Sequence, residues 1–324
     1  MLREKENLLR CYRHEVPDHL PDYSAGCRMQ LPFGYHEIPP HQSTGQDWFG
    51  VWWRGEKPAA IPDPNKPRVL EDVCDWREKV VFPDLDAIDW EEAVRYDKLN
   101  ELDRENKLYE VVMKEGPFER IQALMGMQEA MTAMLVDPEE FQALAEAICD
   151  FRIRLLDYVA KYYKPDVVNY HDDYGTQRSL MLSPDSWREI FKPLIAKTAE
   201  AAHSHGIIFD LHCCGMIEDI MPEFPEIGVD CVQCMPINDI ARMKRETGGK
   251  MVFFTGFDVQ KYDIATRCGA LTEDGLRKEI RELVLSWAEG GNYIPSAPPP
   301  VSEDDWVSRV IREEVIELRK TIYQ

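Results

Sequence analysis

The second half of the chain alternates between short apolar runs and longer amphipathic segments. The apolar runs lack a strict in–out alternation, which is typical of strands that are buried on both faces. Because helices lie between these runs, the pattern predicts five successive strand–helix units and a parallel sheet. The predicted strands lie within 164–175 and over 207–212, 229–233, 251–255 and 292–294.

Helix boundaries in this region carry capping signals. Asp137 precedes a proline and two glutamates, which predicts a helix that begins there and runs to about Tyr163. Ser183 begins a second predicted helix, which ends at His205 before a glycine. Further helices are predicted over 216–222, 237–246, 272–289 and 303–322, the last with Ser302 and Asp305 as a capping box.

Residues 1–75 follow a different pattern. Prolines and aromatic residues are dense there, one helix is predicted over 3–12, and short strands are predicted around Phe49–Trp53. A segment this apolar is expected to pack on the main body, where it can cover a pocket, rather than to stay disordered. We therefore predict a single domain over 1–324, in which 1–75 form an irregular N-terminal arm.

A doubly wound sheet and a (β/α)8 barrel both fit successive strand–helix units. No Gly-x-Gly-x-x-Gly motif follows a predicted strand, which disfavours the dinucleotide-binding form of the doubly wound sheet. Polar residues cluster where the predicted strands end, and a (β/α)8 barrel carries its catalytic groups there. We therefore predict an α/β fold, a (β/α)8 TIM barrel. The strand-end residues are Asp172, Asp173, His212, Cys214, Gln233, Cys234 and Asp258.

Composition narrows the class of ligand. The formal net charge is −21 and the basic residues form no run, which argues against a surface for nucleic acid or for an anionic membrane. No apolar run reaches the length of a membrane span, and the charged N-terminus lacks the core of a signal peptide. We predict a cytoplasmic protein whose nine cysteines are reduced, so that a cysteine near a histidine is a candidate metal ligand.

The segment His212-Cys213-Cys214 ends a predicted strand. Alternate residues of a strand share a face, so His212 and Cys214 point one way and Cys213 the other, which disfavours a redox pair. An imidazole and a thiolate on one face can bind zinc together. The alternative interpretation is two buried thiols beside a histidine that hydrogen-bonds a neighbour.

Two further pairs are candidates for chemistry. Asp172 and Asp173 can supply a ligand, a base or a hydrogen bond to substrate, or they can belong to a polar loop that caps the next turn. Because adjacent residues of an extended chain point apart, at most one of the two is expected to face a pocket. Cys231 and Cys234 lie on and just past a strand, so we predict buried thiols, with Cys234 as an additional candidate ligand.

The aromatic cluster of the N-terminal arm, Trp48-Phe49-Gly-Val-Trp52-Trp53, also has two interpretations. It can line a pocket for an aromatic substrate, with Trp48 and Phe49 as contacts. It can equally pack the arm onto the main body.

Taken together, several segments resemble the uroporphyrinogen decarboxylase superfamily, and its cobamide-dependent methyltransferase branch more than the decarboxylase. They include DWFGVWW, DDYGTQRSLMLSPDSWREIFKP, HGIIFDLHCCG, QCMPINDI and GGNYIP. The resemblance implies a (β/α)8 barrel with its site at the carboxyl ends of the strands. The arginine-rich R-Q-A-G-R-Y motif of the decarboxylases is replaced by SAGCRMQLPFGYHE, which disfavours that reaction.

The resemblance also implies a metal. The methyltransferase branch holds zinc with a His-x-Cys pair and a later cysteine, and His212 and Cys214 match the pair. The later stretch reads IPSAPPPVSEDD, so the third ligand is left open among Asp173, Glu218 and Cys234. The QCMPINDI segment and the aromatic arm resemble members that demethylate methoxylated aromatics.

The implied activity is transfer of a methyl group from a methoxylated aromatic to the cob(I)amide of a separate corrinoid protein. Zinc and this partner-borne cobamide are the implied cofactors, the corrinoid protein and a small-molecule methyl donor are the implied partners, and a homodimer is left open. Alternatives are a related decarboxylase and a metal-free, non-catalytic binding barrel. The implied catalytic residues are His212 with Asp173 or Tyr174 as the acid, and the implied substrate contacts are Trp48, Phe49, Asp172, Gln177, Gln233 and Asp258.

Overall fold

The computed structural model describes residues 2–39, 43–56, 60–297 and 299–323. In this part of the chain the strands form one parallel and one antiparallel sheet. The strands are β1 Cys27–Gln30, β2 Gly45–Gln46, β3 Trp52–Gly55, β4 Ala60–Pro62, β5 Leu108–Met113, β6 Val167–His171, β7 Ile208–Cys213, β8 Cys231–Cys234, β9 Val252–Thr255 and β10 Tyr293–Pro295.

Helices cover the outside of the parallel sheet and connect its strands. Short 3-10 turns lie at Val73–Asp75, Leu85–Ala87, Leu99–Glu101 and Met221–Ile227, and a π-helical turn at Trp187–Phe191 joins two of the helices. The α-helices are α1 Glu4–Tyr12, α2 Tyr23–Gly26, α3 Trp76–Lys79, α4 Trp90–Tyr96, α5 Pro117–Met125, α6 Met127–Val136, α7 Pro138–Tyr162, α8 Pro184–Ser186, α9 Lys192–Ser204, α10 Ile240–Glu246, α11 Val259–Arg267, α12 Glu273–Ala288 and α13 Trp306–Leu318.

The parallel sheet has the order β1-β5-β6-β7-β8-β9-β10, seven strands among the described residues. It curls, because Cys27 on one edge strand and Ile294 on the other belong to the same inner core, together with Leu8 and Tyr12 of α1. The predicted α/β, TIM-barrel-like fold is therefore confirmed. The two edge strands, β1 and β10, are not paired with each other, which leaves one open seam in the wall of the barrel.

Several details differ from the sequence-based predictions. No helix forms over 216–222, and a 3-10 turn over 221–227 follows instead, because Pro222 and Pro225 lack the backbone N–H groups that a longer helix needs. The last helix begins later than predicted, since Asp305 itself caps it by accepting a hydrogen bond from the Ser308 backbone N–H. Residues 1–75 are more than an arm, because they contribute β1 to the parallel sheet.

The antiparallel sheet β2-β3-β4 lies against the barrel through buried ion pairs. The Arg120 guanidinium of α5 contacts the Asp47 carboxylate, which also accepts hydrogen bonds from the Trp53 indole at 2.9 Å and from two backbone N–H groups. Arg152 of α7 pairs with Glu37 in the same way. Both guanidinium groups are fully buried, so each depends on its carboxylate partner.

Among the helices of the described residues, none has both the length and the apolar character needed to cross a bilayer.

Candidate functional site

The candidate site lies where β6 and β7 end. The two strands pair in parallel with His171 opposite His212, so the loops that follow them start side by side. Their backbones touch at two glycines: a Cβ atom on Gly215 would lie 2.1 Å from the carbonyl carbon of Gly175. Gly215 also has a φ of +85°, a conformation that glycine adopts most readily. The close contact of the two loops therefore requires glycine.

This contact brings three side chains with metal-binding atoms together. Asp173, His212 and Cys214 each offer one ligand atom, and these atoms all lie within 4.8 Å of one another. The His212 Nε2 atom is 3.3 Å from the Cys214 Sγ atom and 3.9 Å from the Asp173 Oδ1 atom. The Cys214 backbone N–H donates a hydrogen bond to Asp173 Oδ1 at 2.6 Å, which holds the carboxylate in place. No other such group occurs in the residues that the structure describes.

The other ring nitrogen of His212 is held from β8. Gln233 Oε1 accepts a hydrogen bond from His212 Nδ1, so Nδ1 carries the proton and Nε2 presents its lone pair to Asp173 and Cys214. A hydrogen bond at the second nitrogen is the usual way in which a protein orients a metal-binding imidazole. The sequence-predicted residue Gln233 therefore belongs to the site as an orienting group.

A second imidazole lies parallel to the first. The rings of His171 and His212 stack with centroids 3.9 Å apart and an interplanar angle of 10°. His171 Nε2 bonds to Asn169 Oδ1 at 2.7 Å, and the Asn169 amide donates to Asp210 at 3.0 Å. Burial, followed by the nearby His212, lowers the pKa of His171 to about 2, so His171 is a neutral neighbour of the site.

Burial raises the pKa values of the Cys214 thiol and of a nearby carboxyl group, that of Glu119. Burial, and then the charge of Asp173, raises the pKa of Cys214 to about 12. Burial, and then the charge of Glu115, holds the pKa of Glu119 well above its usual range. Glu119 Oε2 has no hydrogen-bond partner among the described residues. Both groups therefore favour their protonated forms in the protein alone.

A cavity of about 630 Å³, here called the mouth cavity, reaches His171, Asp173 and His212. It lies between the carboxyl ends of the barrel strands and the antiparallel sheet. Its walls combine an apolar side with charged groups, as small-molecule sites do. The apolar wall includes Val51, Trp52, Trp53, Pro62, Pro67, Val69 and Met127, and the polar wall includes Asp63, Lys66, Arg68, Lys114, Glu115, Glu119 and Gln122.

Sequence comparison identifies the family. The model of the uroporphyrinogen decarboxylase (URO-D) family matches residues 66–258, more than half of the chain. The chain belongs to the uroporphyrinogen decarboxylase family. A search of curated protein sequences finds no match to this family member.

Solved structures extend the comparison of this uroporphyrinogen decarboxylase family member to its whole length. A methyltransferase from Methanosarcina mazei aligns over 100% of both chains with a TM-score of 0.69 and 15% sequence identity, so the two share a fold. Two weaker likenesses are Old Yellow Enzyme from Pichia sp. AKU4542 (TM-score 0.38, 9% identity, 70% of this chain and 66% of that chain) and a chitinase from Chromobacterium violaceum ATCC 12472 (TM-score 0.37, 12% identity, 69% and 83%).

In this family member, two predicted residues beside the cluster lie outside the cavity. Asp172 is fully buried and accepts hydrogen bonds from the backbone N–H groups of Phe118 and Glu119, so it caps the start of α5. Tyr174 is also fully buried and donates its hydroxyl proton to Asp172 at 2.5 Å. Neither side chain lines the mouth cavity, so the structure gives no support to Tyr174 as an acid or to Asp172 as a substrate contact.

Other predicted substrate contacts have structural roles. Trp48 packs edge-on against Phe151 in the core, and the Arg120 guanidinium lies over the Phe49 ring. Asp258 caps α11 by accepting a hydrogen bond from the Lys261 backbone N–H. The structure uses these three groups for packing and capping, and none of them lines the mouth cavity, so it gives no support to their prediction as substrate contacts. Gln177 is exposed in a loop and does not line the mouth cavity.

The structure places the three candidates for a third ligand in different surroundings. Glu218 pairs with Arg242 and accepts a hydrogen bond from the Asp239 backbone N–H. Cys234 is buried, and burial raises the pKa of its thiol to about 12. Neither of them belongs to the group that contains His212 and Cys214, whereas Asp173 does.

Sequence reasoning missed most residues of the cavity wall, among them Lys114, Glu119 and Trp52. Lys114 directly follows β5 and lines the mouth cavity, so the strand-end rule that selected His212 applies to it as well. Glu119 lies in the first turn of α5, and only the fold brings it to the cavity. Trp52 lines the cavity in place of Trp48, and nothing in the aromatic run distinguishes the two positions.

Proposed function

We propose that the chain is a methyltransferase that moves a methyl group from a methoxylated aromatic compound to the cob(I)amide of a separate corrinoid protein. The observation that carries this proposal is the cluster of Asp173, His212 and Cys214 at the edge of a cavity walled by tryptophans. Membership of the uroporphyrinogen decarboxylase family and the fold shared with a methyltransferase support it.

The three side chains fit a zinc ion. Imidazole nitrogen, thiolate sulfur and carboxylate oxygen are the atoms that bind zinc in proteins, and three protein ligands are the usual number in catalytic zinc sites. Zinc bonds of about 2.0–2.3 Å place tetrahedral ligand atoms roughly 3–4 Å apart. The separations of 3.3 and 3.9 Å from His212 Nε2 agree with this spacing. We therefore infer that Asp173 is the third ligand.

A zinc ion held there would act as a Lewis acid on the ether oxygen of the donor and make the phenolate a better leaving group. The residues of the chain position the donor: Trp52 and Trp53 form a wall on which an aromatic ring can stack. Lys114 places a cation in the same cavity, where it can stabilise negative charge that develops on the phenolate.

The electrons of the methyl transfer balance without an oxidant or a reductant beyond the cob(I)amide itself. The carbon–oxygen bond of the ether breaks and its electron pair stays on oxygen, while the electron pair of cob(I)amide forms the new cobalt–carbon bond. The phenolate then needs a proton. With Tyr174 buried and Asp173 assigned to the metal, we propose Glu119 as the proton donor, since it lines the cavity and burial favours its protonated form.

The remaining parts of the proposal concern the partner. We propose that the corrinoid protein docks over the mouth cavity, because its cobalt has to reach the methyl carbon of a donor bound beside His212. The cytoplasmic location expected from the charged N-terminus belongs to the same proposal.

The test is an assay with the purified full chain, zinc, a corrinoid protein reduced to the cob(I)amide state and a panel of methoxylated benzenes and benzoates. Formation of methyl-cobamide is followed by absorbance. We expect at least one donor to react, and the Cys214→Ser variant to react at the background rate. Cys268→Ser is the matched control, since Cys268 is exposed and outside the cluster. Equal rates for wild type and Cys214→Ser, or no reaction with any donor, would contradict the proposal.

A related decarboxylase is a second candidate, because the cations Lys66, Arg68 and Lys114 lie together in the mouth cavity and could bind carboxylates. However, Arg68 is already paired with Glu129 at 2.8 Å. This candidate predicts release of carbon dioxide without metal or corrinoid. A third candidate, a non-catalytic binding barrel, predicts that the purified chain binds no zinc.

A further inference from the structure

A second cavity of about 340 Å³, here called the side cavity, lies at the open seam between β1 and β10. Met29 of β1 and Pro295 of β10 form its two edges, and Phe254 and Gln233 line it from the inner face of the sheet. Its volume lies at the lower end of the range for small-molecule sites. It shares no lining residue with the mouth cavity.

One face of the last helix forms the outer wall of the side cavity. Arg312, Val315, Ile316 and Arg319 recur at spacings of three and four residues along α13, so they lie on one side of it. The opposite side is occupied, because Glu314 pairs with arginines of α12. The fold therefore turns a fixed row of α13 side chains toward the seam.

The apolar part of this wall is open to solvent. Met29 is 52% exposed and Ile316 is 45% exposed, although Phe254 beside them is only 4% exposed. Large apolar side chains that meet solvent at the rim of a cavity are typical of a surface that a ligand covers.

The charged part of the wall contains one guanidinium group, that of Arg312, which among the described residues forms no direct ion pair and has only the more distant charge of Asp22 nearby. Arg319 is neutralised by Glu4 at 2.5 Å and by Asp22 at 2.8 Å. Arg312 instead donates one hydrogen bond to the Ala297 carbonyl at 2.9 Å and forms no ion pair within the described parts of the chain. The lining of the side cavity contains two arginines and a single aspartate, although the chain as a whole has a net charge of −21.

We propose that the side cavity binds a small organic carboxylate, with its carboxylate group on Arg312 and its hydrocarbon part against Phe254 and Ile316. A single guanidinium matches one planar carboxylate, to which it can donate two parallel hydrogen bonds. The apolar rim matches a short hydrocarbon chain. This proposal does not depend on methyl transfer, because none of these three residues lines the mouth cavity.

A ligand in the side cavity could also affect the candidate metal site through the hydrogen bond between Gln233 and His212. Gln233 lines the side cavity and holds His212 Nδ1 at the same time. A ligand that moves the Gln233 amide would therefore change the orientation of the His212 ring. Any such coupling is reciprocal, so zinc would change the affinity for the carboxylate by the same factor.

The experiment is a calorimetric titration of the full, metal-free chain with hexanoate. Hexanoate carries the carboxylate and a short hydrocarbon chain but no aromatic ring, so it avoids the tryptophan wall of the mouth cavity. Hexanamide is the uncharged probe of matched size. We expect saturable binding of hexanoate at one site and at least about tenfold weaker binding of hexanamide, since hydrogen bonds between charged groups are stronger than those to a neutral amide.

Two substitutions on α13 form a matched pair. Arg312→Gln keeps a donor for the Ala297 carbonyl but removes the charge, and we expect it to weaken hexanoate binding at least about tenfold. Arg309→Gln removes the same charge from the exposed side of the same helix and should leave binding unchanged. Ile316→Asp, at an exposed position, should weaken binding by repulsion without disturbing the core.

Three results would overturn the proposal. They are equal affinity for hexanoate and hexanamide, equal affinity of wild type and Arg312→Gln, and displacement of hexanoate by 1,3-dimethoxybenzene, which would place the anion in the mouth cavity. The outcome is separate from that of the methyl-transfer assay, because the titration requires neither zinc nor a corrinoid protein.

Discussion

Two cavities approach the barrel interior on either side of the His212–Gln233 hydrogen bond, and their walls carry different chemistry. The mouth cavity has four carboxylates against three cations, and it reaches three imidazole or carboxylate groups at strand ends. The side cavity has one carboxylate against two guanidinium groups and reaches no metal-binding cluster. We infer that the first is built for chemistry and the second for holding an anion.

The difference follows from how each cavity is made. Strand ends and short glycine-dependent loops form the mouth cavity, so its groups are fixed relative to one another to within a few ångströms. The side cavity is formed by the two edge strands, which do not pair with each other, and by one face of α13. Two of its apolar side chains, Met29 and Ile316, are exposed to solvent. A rigid site suits a reaction that requires alignment, whereas an open one suits exchange of a ligand.

Removing His212 should produce the largest separation between the two cavities. We expect His212→Ala to reduce the zinc content from about one ion per chain to near zero and methyl transfer to background, because one of three ligands is lost. When both chains are metal-free, hexanoate binding should stay within about twofold of wild type, since its proposed contacts are Arg312, Phe254 and Ile316. Metal analysis, the methyl-cobamide assay and calorimetry measure these effects. His205→Ala is the control, and zinc retained by His212→Ala would refute the assignment.

Removing Arg120 should damage the wall of the mouth cavity. Arg120→Met leaves Asp47 buried without its cation, so we expect the free energy of unfolding to fall by about 3–5 kcal/mol. Urea denaturation measures this change. Arg95→Met breaks an exposed pair with Glu92 on a helix surface and should lower the free energy of unfolding far less than Arg120→Met does. Similar losses for the two variants would show that the buried pair does not support this wall.

Removing Gln233 tests the residue that links the two cavities, since it lines the side cavity and bonds to His212 at the edge of the mouth cavity. Gln233→Ala leaves the three ligands in place but frees His212 Nδ1, so we expect zinc affinity to fall about 10- to 100-fold. Competition with a chelator measures the affinity. Gln177→Ala, at an exposed loop position, is the control and should leave zinc affinity unchanged. An unchanged affinity in Gln233→Ala would mean that the hydrogen bond does not orient the ring.

The smallest expected effect concerns donor binding. Trp52→Ala removes one aromatic surface from the mouth cavity, and we expect the affinity for a methoxylated aromatic to fall by about tenfold, since such ring contacts contribute about 0.5–1.5 kcal/mol beyond buried area. Titration with 1,3-dimethoxybenzene measures this, and hexanoate binding should not change. Tyr96→Ala is the control, because Tyr96 is an exposed ring on α4. An equal loss of affinity for 1,3-dimethoxybenzene and for hexanoate would contradict the assignment of the two ligands to different cavities.

The fold was accessible from the sequence because apolar runs and capping residues are local signals. Strands β6 to β10 and the helices that begin after Asp137 and Ser183 all lie where periodicity predicts them. The short helix predicted over 216–222 does not form there, because Pro222 and Pro225 have no backbone N–H groups to donate to it. The small antiparallel sheet depends on pairing between segments whose register no local pattern specifies.

Only part of the candidate site could be predicted from the sequence. Alternation along a strand correctly selected Cys214 over Cys213 as the partner of His212. The assignment of Asp173 required the structure, because it depends on a contact between two loops that are separated by about forty residues. The capping role of Asp172 and the packing role of Trp48 could not be predicted from the sequence, because they depend on contacts with α5 and α7 that no local pattern specifies.

The open seam has a further consequence for how the chain behaves at high concentration. Two strand edges in one sheet are places where another polypeptide could add a strand of its own. Here β10 is three residues long and ends in Pro295, which has no backbone N–H to offer, and β1 has only four residues. Neither edge presents a row of donors and acceptors long enough to template aggregation, so the protein can keep a gap in its wall without recruiting its neighbours.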